Sequence, residues 1–270
     1  MSGSDPTSGA FTGEWDPSLI RTLMSVGGPM FKLYFRSEVR DIERIPDGGA
    51  LIVSNHSGGP FTVDVPTLWW KFFETFGWDR PFYTLGLDLL FTGPLAAVMK
   101  RLGMIRATRE NAAAALRSGA VVVVFPGGGN DAMRPTSQQA VIDFSGRTGY
   151  VSTAIEAGVP IVPVVAIGGQ ETQLFLTRGE WVAKRLGIAK RITRVEQFPV
   201  SIGFPFGLNV GFLYNFPLPS KLVTQVLEPI DITETFGKNP DIAEVDTHVR
   251  KVMQAALDEL AAQRRFPVLG

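Results

Sequence analysis

The 270-residue sequence has no cysteine. That excludes a thiol nucleophile, a covalent thioester on the protein, thiolate metal sites and disulfides. Histidine is nearly as scarce. His56 and His248 are the only two, far apart and with no HExxH-like pair, so a metal site would have to be almost all carboxylate and none is expected. Net charge is also missing, with 26 acidic against 26 basic residues, which removes any general electrostatic case for nucleic acid as a partner. Tyrosine is sparse at 4 against 19 phenylalanines. This apolar bias suits a large core, and it also fits a greasy ligand or a membrane surface.

Long apolar runs are absent as well. The best candidate for a membrane span, "YTLGLDLLFTGPLAAVM", is interrupted by Asp88 and Pro94, so contact with a membrane is expected to be peripheral. The opening "MSGSDPTSGAFTGEWDP" is small, polar and acidic, unlike a secretory signal. Residues 1–15 therefore read as a disordered lead, and a reducing cytoplasm is the expected compartment. From Asp16-Pro17, a helix-entry signal, residues 16–36 read as an amphipathic helical segment. Leu19, Leu23, Met24, Met30, Leu33 and Phe35 are interleaved there with Arg21, Lys32 and Arg36. It is either a helix pair packed on the domain or a segment lying in the lipid interface.

From residue 37 the chain alternates. Strand-like runs are "ALIVSN", "PFYTLGL", "GMIRAT", "AVVVVFPGG", "PIVPVVAIGG" and "LVTQVLEPID". Helix-like stretches lie between several of them, at about 64–76, 88–101, 109–118 and 147–157. Uninterrupted runs such as Val121 to Val124 suit central strands covered on both faces. The pattern predicts a single α/β domain over 37–270, with a mainly parallel central sheet flanked by helices. Residues 178–220 are less regular. "RGEWVAKRLGIAKR" reads as a basic amphipathic helix with Trp181 and Leu186, and "FPVSIGFPFGLNVGFLYNFPLPSK" as a long packed loop or an apolar lip for an acyl chain. Residues 241–263 read as a C-terminal amphipathic helix on which His248 is solvent-facing and without a role.

In such sheets ligands sit beyond the carboxyl ends of the strands. "ALIVSN" ends at His56 and "AVVVVF" ends at "PGGGND", so both loops are expected at one edge. Around His56, Asn55 and Ser57 supply polar groups, and Gly58 and Gly59 let backbone N–H groups approach a ligand closely. Asp64, in the first turn of the next helix, can reach back to one ring nitrogen, fix the tautomer and stabilise the imidazolium. "HSGG" is similar to the oxyanion loop of lipases and esterases. Those enzymes need a serine on a G-x-S-x-G elbow, and the sequence has none, so His56 would have to activate a hydroxyl that arrives with a substrate.

"SNHSGGPFTVDVPTL" resembles the NH-x4-D block of the glycerolipid acyltransferase superfamily, except that seven residues separate His56 from Asp64. An insertion of about three residues within "SGGPFTV" restores the match. Three further blocks follow in order. "GMIRATRENAAAALRSG" resembles the phosphate-holding block and maps its arginine to Arg109. "VVVVFPGGGND" resembles the FPEG block with Gly127 in place of the glutamate. "GVPIVPVVAIGG" resembles the proline-bearing fourth block. "RTGYVSTAIEAGVPIVPV" is similar to the monoacylglycerol and diacylglycerol acyltransferase-like branch. The missing glutamate and the wide His–Asp spacing count against lysophosphatidate as acceptor.

The resemblance implies an acyl-CoA-dependent O-acyltransferase with no resident cofactor, acyl-CoA being a co-substrate. It would work peripherally on the inner face of a membrane, on a glycerolipid or related acceptor. His56 would be the base and Asp64 its partner. Asn55, Ser57, Gly58, Gly59, Gly127 and Gly128 would line the substrates, with glycine N–H groups stabilising the oxyanion. Arg109 and Arg147 would bind phosphate of coenzyme A or of the acceptor. A lipid or thioester hydrolase and a non-catalytic lipid-binding relative are the alternatives.

Overall fold

Alternation inside the apolar runs decides the layering. In a strand, successive side chains point to opposite faces, so Leu51 and Val53 enter one apolar layer while Ala50 and Ile52 enter the other. The computed structural model describes residues 14–181, 198–211, 215–266 and 268–269. Within them the strands are β1 (Glu38–Arg40), β2 (Ala50–Ser54), β3 (Phe82–Gly86), β4 (Met104–Arg106), β5 (Val121–Val124), β6 (Ile161–Ile167), β7 (Leu174–Thr177), β8 (Val200–Gly203), β9 (Gly207–Val210) and β10 (Val223–Val226). Seven of them form one sheet in the order β1-β10-β6-β2-β5-β3-β4. All its pairings are parallel except β10 against β6. The expected α/β domain with a mainly parallel sheet is therefore what the chain forms.

Helices cover both faces. On one side α1 (Pro17–Phe35) and α2 (Asp64–Phe76) bury Ile20, Leu68, Trp69, Phe72 and Phe73 against the sheet. On the other, α4 (Arg109–Arg117), α6 (Gly149–Ala157) and α8 (Ile242–Gln263) bury Ala112, Leu116, Val151, Val249, Met253 and Leu257. Each fully buried Leu, Phe or Met contributes about 1.5–3 kcal/mol relative to exposure. The short helices are α3 (Ala96–Arg101), α5 (Gly128–Ala132) and α7 (Ile232–Phe236).

Several expectations change. Residues 17–35 form one helix rather than a pair. It tolerates Pro29 and lies so close to α2 that a Cβ at Gly28 would fall 2.0 Å from the Trp70 ring. Trp15, counted with the lead, packs its ring against Phe73 and Tyr83 with centroids 5.3 and 6.0 Å away. The stretch 88–101 is a 3-10 turn, Asp88–Phe91, followed by α3, because Pro94 breaks the helix between them. Residues 198–211 are not a loop. β8 and β9 pair antiparallel, with β7 on the other side of β8, as a second sheet of order β7-β8-β9. The helix expected over "RGEWVAKRLGIAKR" starts at Glu180 and Trp181, and its remainder lies outside the described residues.

Candidate active site

β2 and β5 are parallel neighbours, so the residues that follow them leave the sheet side by side at its carboxyl edge. His56 follows β2, and its ring stacks on Phe125, which follows β5, with centroids 4.1 Å apart. The residues between His56 and Asp64 turn sharply. Gly58, Gly59 and Thr62 have φ of 92°, 63° and 39°, and Gly59–Phe61 forms a 3-10 turn. This turn absorbs the wide spacing and returns the chain, so that Asp64 opens α2 directly beneath His56. One oxygen of Asp64 lies 2.9 Å from His56 Nδ1 and also accepts the Ser57 N–H at 2.9 Å. Its other oxygen accepts the Val65 N–H. The Asp64 side chain is 4% exposed and that of His56 13%. Nδ1 is thereby committed to Asp64. Among the described residues Nε2 has no hydrogen-bond partner, which leaves it as the ring atom able to take a proton from a ligand.

Behind this pair lies a buried polar network. Asp131, on α5, accepts the His56 backbone N–H at 2.5 Å and pairs with Arg134. Arg134 is almost fully buried, donates from Nε to the Asp131 carbonyl, and reaches the Val141 carbonyl. Burial pulls its guanidinium down to about 10, still charged at neutral pH. Gln170, 1% exposed, follows β6. Its Oε1 accepts the Gly58 N–H at 2.8 Å, while Nε2 donates to the carbonyls of Ala132 and Arg134 at 2.9 and 3.2 Å. The loop carrying His56 is therefore held from two neighbouring strand ends, by Asp131 beyond β5 and by Gln170 beyond β6.

A family model described as Acyltransferase matches residues 36–167. A Mycobacterium tuberculosis protein is 31% identical over 267 residues, covering 96% of this chain and 70% of its own length. The chain belongs to the glycerolipid acyltransferase superfamily. A mouse protein described as a DGAT1/2-independent enzyme synthesizing storage lipids is 26% identical over 241 residues, or 84% of this acyltransferase and 66% of the mouse protein. The fold matches the crystal structure of the 1-acyl-sn-glycerophosphate (LPA) acyltransferase PlsC from Thermotoga maritima. The TM-score is 0.58 and the identity 19%, over 90% of this chain and 81% of that one.

The other residues singled out in this acyltransferase divide. Asn55 is buried, and its amide bonds the backbone of Ala166, donating to its carbonyl and accepting its N–H, both at 2.8 Å. Gly58 cannot offer its N–H to an oxyanion, since Gln170 holds it. Gly59 leaves room for Phe175, whose ring would lie 2.4 Å from a Cβ there. Ser57 is buried with its hydroxyl against Gly169. Gly127 has an ordinary helical φ of −65°, so the reason for glycine is space. A Cβ would meet the Asp131 Cβ at 2.4 Å and the Asp143 carbonyl at 2.7 Å. The carboxylate of this turn is supplied by Asp131, one helical turn on, and a glutamate at 127 would collide with it. Arg147 donates to the carbonyls of Pro126 and Gly127, both at 2.9 Å, and passes beside Gly128. It shapes the turn. Arg109 is exposed at the start of α4, over Gly149, and makes no ion pair among the described residues. Asp131 stood within the quoted "PGGGND", but nothing local marked it, Arg134 or Gln170 as partners of the histidine loop.

Proposed function

We propose that this acyltransferase moves a fatty acyl group from acyl-CoA to a hydroxyl of a glycerolipid, of the monoacylglycerol or diacylglycerol kind, with His56 as general base. The observation that carries the reading is the His56–Asp64 pair at the sheet's carboxyl edge, with Nδ1 committed to the carboxylate at 2.9 Å and Nε2 without a hydrogen-bond partner among the described residues. Nε2 takes the acceptor's hydroxyl proton as the oxygen attacks the thioester carbonyl. Asp64 holds the tautomer and stabilises the imidazolium. The tetrahedral intermediate collapses with cleavage of the C–S bond, and the proton on Nε2 passes to the departing thiolate. Stabilisation of the oxyanion falls to the N–H groups of Gly59, Gly127 and Gly129, since the Gly128 N–H donates to the Phe125 carbonyl at 3.0 Å. One such donor is worth about 10²–10³ in rate. Arg109, exposed and without an ion pair among the described residues, is the cation for a substrate phosphate. Two things support a neutral glycerolipid acceptor: the likeness to the mouse storage-lipid enzyme, and a glycine turn with no space for the glutamate of the FPEG pattern. The reaction belongs at the cytoplasmic face of a membrane, where both substrates partition.

The test is incubation of the pure protein with labelled palmitoyl-CoA and, in parallel, a labelled acyl carrier protein, against lysophosphatidate, monoacylglycerol, diacylglycerol and a glycolipid. Labelled di- or triacylglycerol from the coenzyme A donor is the expected product. Labelled phosphatidate alone would overturn the acceptor, use of the carrier protein alone would overturn the donor, and free fatty acid alone would make the protein a hydrolase.

A further inference from the structure

The sheet β7-β8-β9 has two unlike faces. Phe175, Ser201 and Asn209 point inward and are buried, and Phe175 rests against Gly59 in the loop that carries His56. The opposite face presents Leu174, Ile202 and Leu208, which the antiparallel register sets side by side across all three strands. They are 49%, 42% and 65% exposed. A single exposed leucine is ordinary, but a continuous apolar row across a whole sheet marks a contact surface.

The row continues onto α1. Beyond β8, Phe204 bridges to Phe216, and the next carbonyl, that of Pro217, accepts the Tyr34 hydroxyl at 2.9 Å. α1 then shows an outer stripe of Val26, Met30 and Leu33, all exposed, opposite the face it buries on α2. Charge decides what such a surface fits. Residues 198–211 and 215–220 contain no charged side chain, and Pro17–Phe35 contains Arg21 and Lys32 but no acidic residue. Both cations are exposed, as is Arg36, the next residue after the helix. Beyond β7 the exposed Glu180 follows Arg178, but the apolar row itself and α1 carry no acidic side chain, and an apolar plane edged by the α1 cations is complementary to a bilayer that carries anionic headgroups. Among the described residues no helix is long and apolar enough to cross a membrane, so the contact is with the surface.

We propose that the outer face of β7-β8-β9, continuous with the outer stripe of α1, is where this protein docks on an anionic lipid bilayer. The choice of a bilayer rests on the lipid-acceptor reading above. The loop of His56 stands directly behind the docked sheet, so a lipid acceptor meets the base from the membrane side.

Flotation with phosphatidylcholine vesicles, with and without phosphatidylglycerol, tests this. The parent is expected to float with the anionic vesicles and to lose binding as salt rises. The variant Leu174→Thr/Ile202→Thr/Leu208→Thr keeps strand-forming residues and is expected to bind at least tenfold less. It should lose acylation of acceptors held in vesicles to a similar degree while retaining the rate on a dissolved short-chain acceptor. A second probe uses the absence of native cysteine. A polarity-sensitive fluorophore on Leu208→Cys should move to an apolar environment on vesicle addition, whereas one on Glu244→Cys, at the far end of α8, should not. Parent-like flotation of the triple variant, or a fluorophore at 208 that stays in water while the protein is vesicle-bound, overturns the proposal. So does a parent dimer that the triple variant dissociates, because the occupant is then a second copy. Failure of the acyltransfer reading looks different: vesicle binding stays intact and no acceptor is acylated, dissolved or embedded.

Discussion

Replacing Gln170 tests whether the histidine loop is held in place by the core. In Gln170→Leu the shape is nearly kept, but the Gly58 N–H loses its acceptor and the carbonyls of Ala132 and Arg134 lose their donor. Each buried polar group left unpaired costs about 1–3 kcal/mol. With partial relaxation the sum is about 2–5 kcal/mol, and at ~2–4 °C per kcal/mol for a domain of this size Tm should fall by roughly 5–15 °C. Gly58 lies two residues from His56, and a catalytic group misplaced by about 1 Å loses on the order of 10²-fold in rate. We therefore expect kcat to fall about 10–100-fold at temperatures where the variant is folded, with KM for the acyl donor within about twofold. Gln170→Glu keeps an acceptor for Gly58 but loses the donor side. It should share the loss of Tm and keep most of kcat. Thermal denaturation followed by circular dichroism, together with steady-state acylation, reads both. A Gln170→Leu protein with parental Tm and kcat would refute the reasoning.

Three further outcomes follow from the geometry. Gly127→Ala must displace Asp131, so it should cost about 1–3 kcal/mol in chemical denaturation and lower kcat. Gly127→Glu should be worse on both counts rather than restore use of lysophosphatidate. Arg109→Ala should raise KM for one phosphate-bearing substrate more than it lowers kcat, and an unchanged KM for every substrate would leave Arg109 a surface residue. The Ser18 hydroxyl, then Arg101, hold the Asp16 carboxyl well below the usual carboxylate range. Its contribution to anchoring α1 is therefore complete above the ordinary value of about 4 and lost as pH falls below it. The stability gap between parent and Asp16→Asn, present at neutral pH, should close on acidification.

What the sequence revealed depended on how locally each feature was encoded. β2, β5 and β6 could be read because uninterrupted runs such as Val121–Val124 have few other uses. His56 and Asp64 could be paired because they stand in one stretch, at a strand end and a helix start. The supporting network was hidden because its partners are distant in sequence: Gly58 meets Gln170 across 112 positions, and His56 meets Asp131 across 75. Asn55 and Arg147 looked like ligand residues because they are polar side chains beside the site motifs. Only the fold shows that backbone groups engage them. β8 and β9 were hidden by the flanking Pro199 and Pro205 and by their own glycines. Their period-two pattern, Val200-Ser201-Ile202 and Leu208-Asn209-Val210, is short, and its buried side is polar, the reverse of the usual signal.

The central claim is that His56 is the base and that Asp64 acts only through it. A double-mutant cycle on kcat with acyl-CoA and the preferred acceptor measures this most directly, using His56→Ala, Asp64→Asn and the pair, each checked for folding. We expect His56→Ala to lose on the order of 10³-fold or more, Asp64→Asn somewhat less, and the double variant to be little worse than His56→Ala. A folded His56→Ala enzyme that retains turnover, or losses that multiply fully in the double variant, would contradict it.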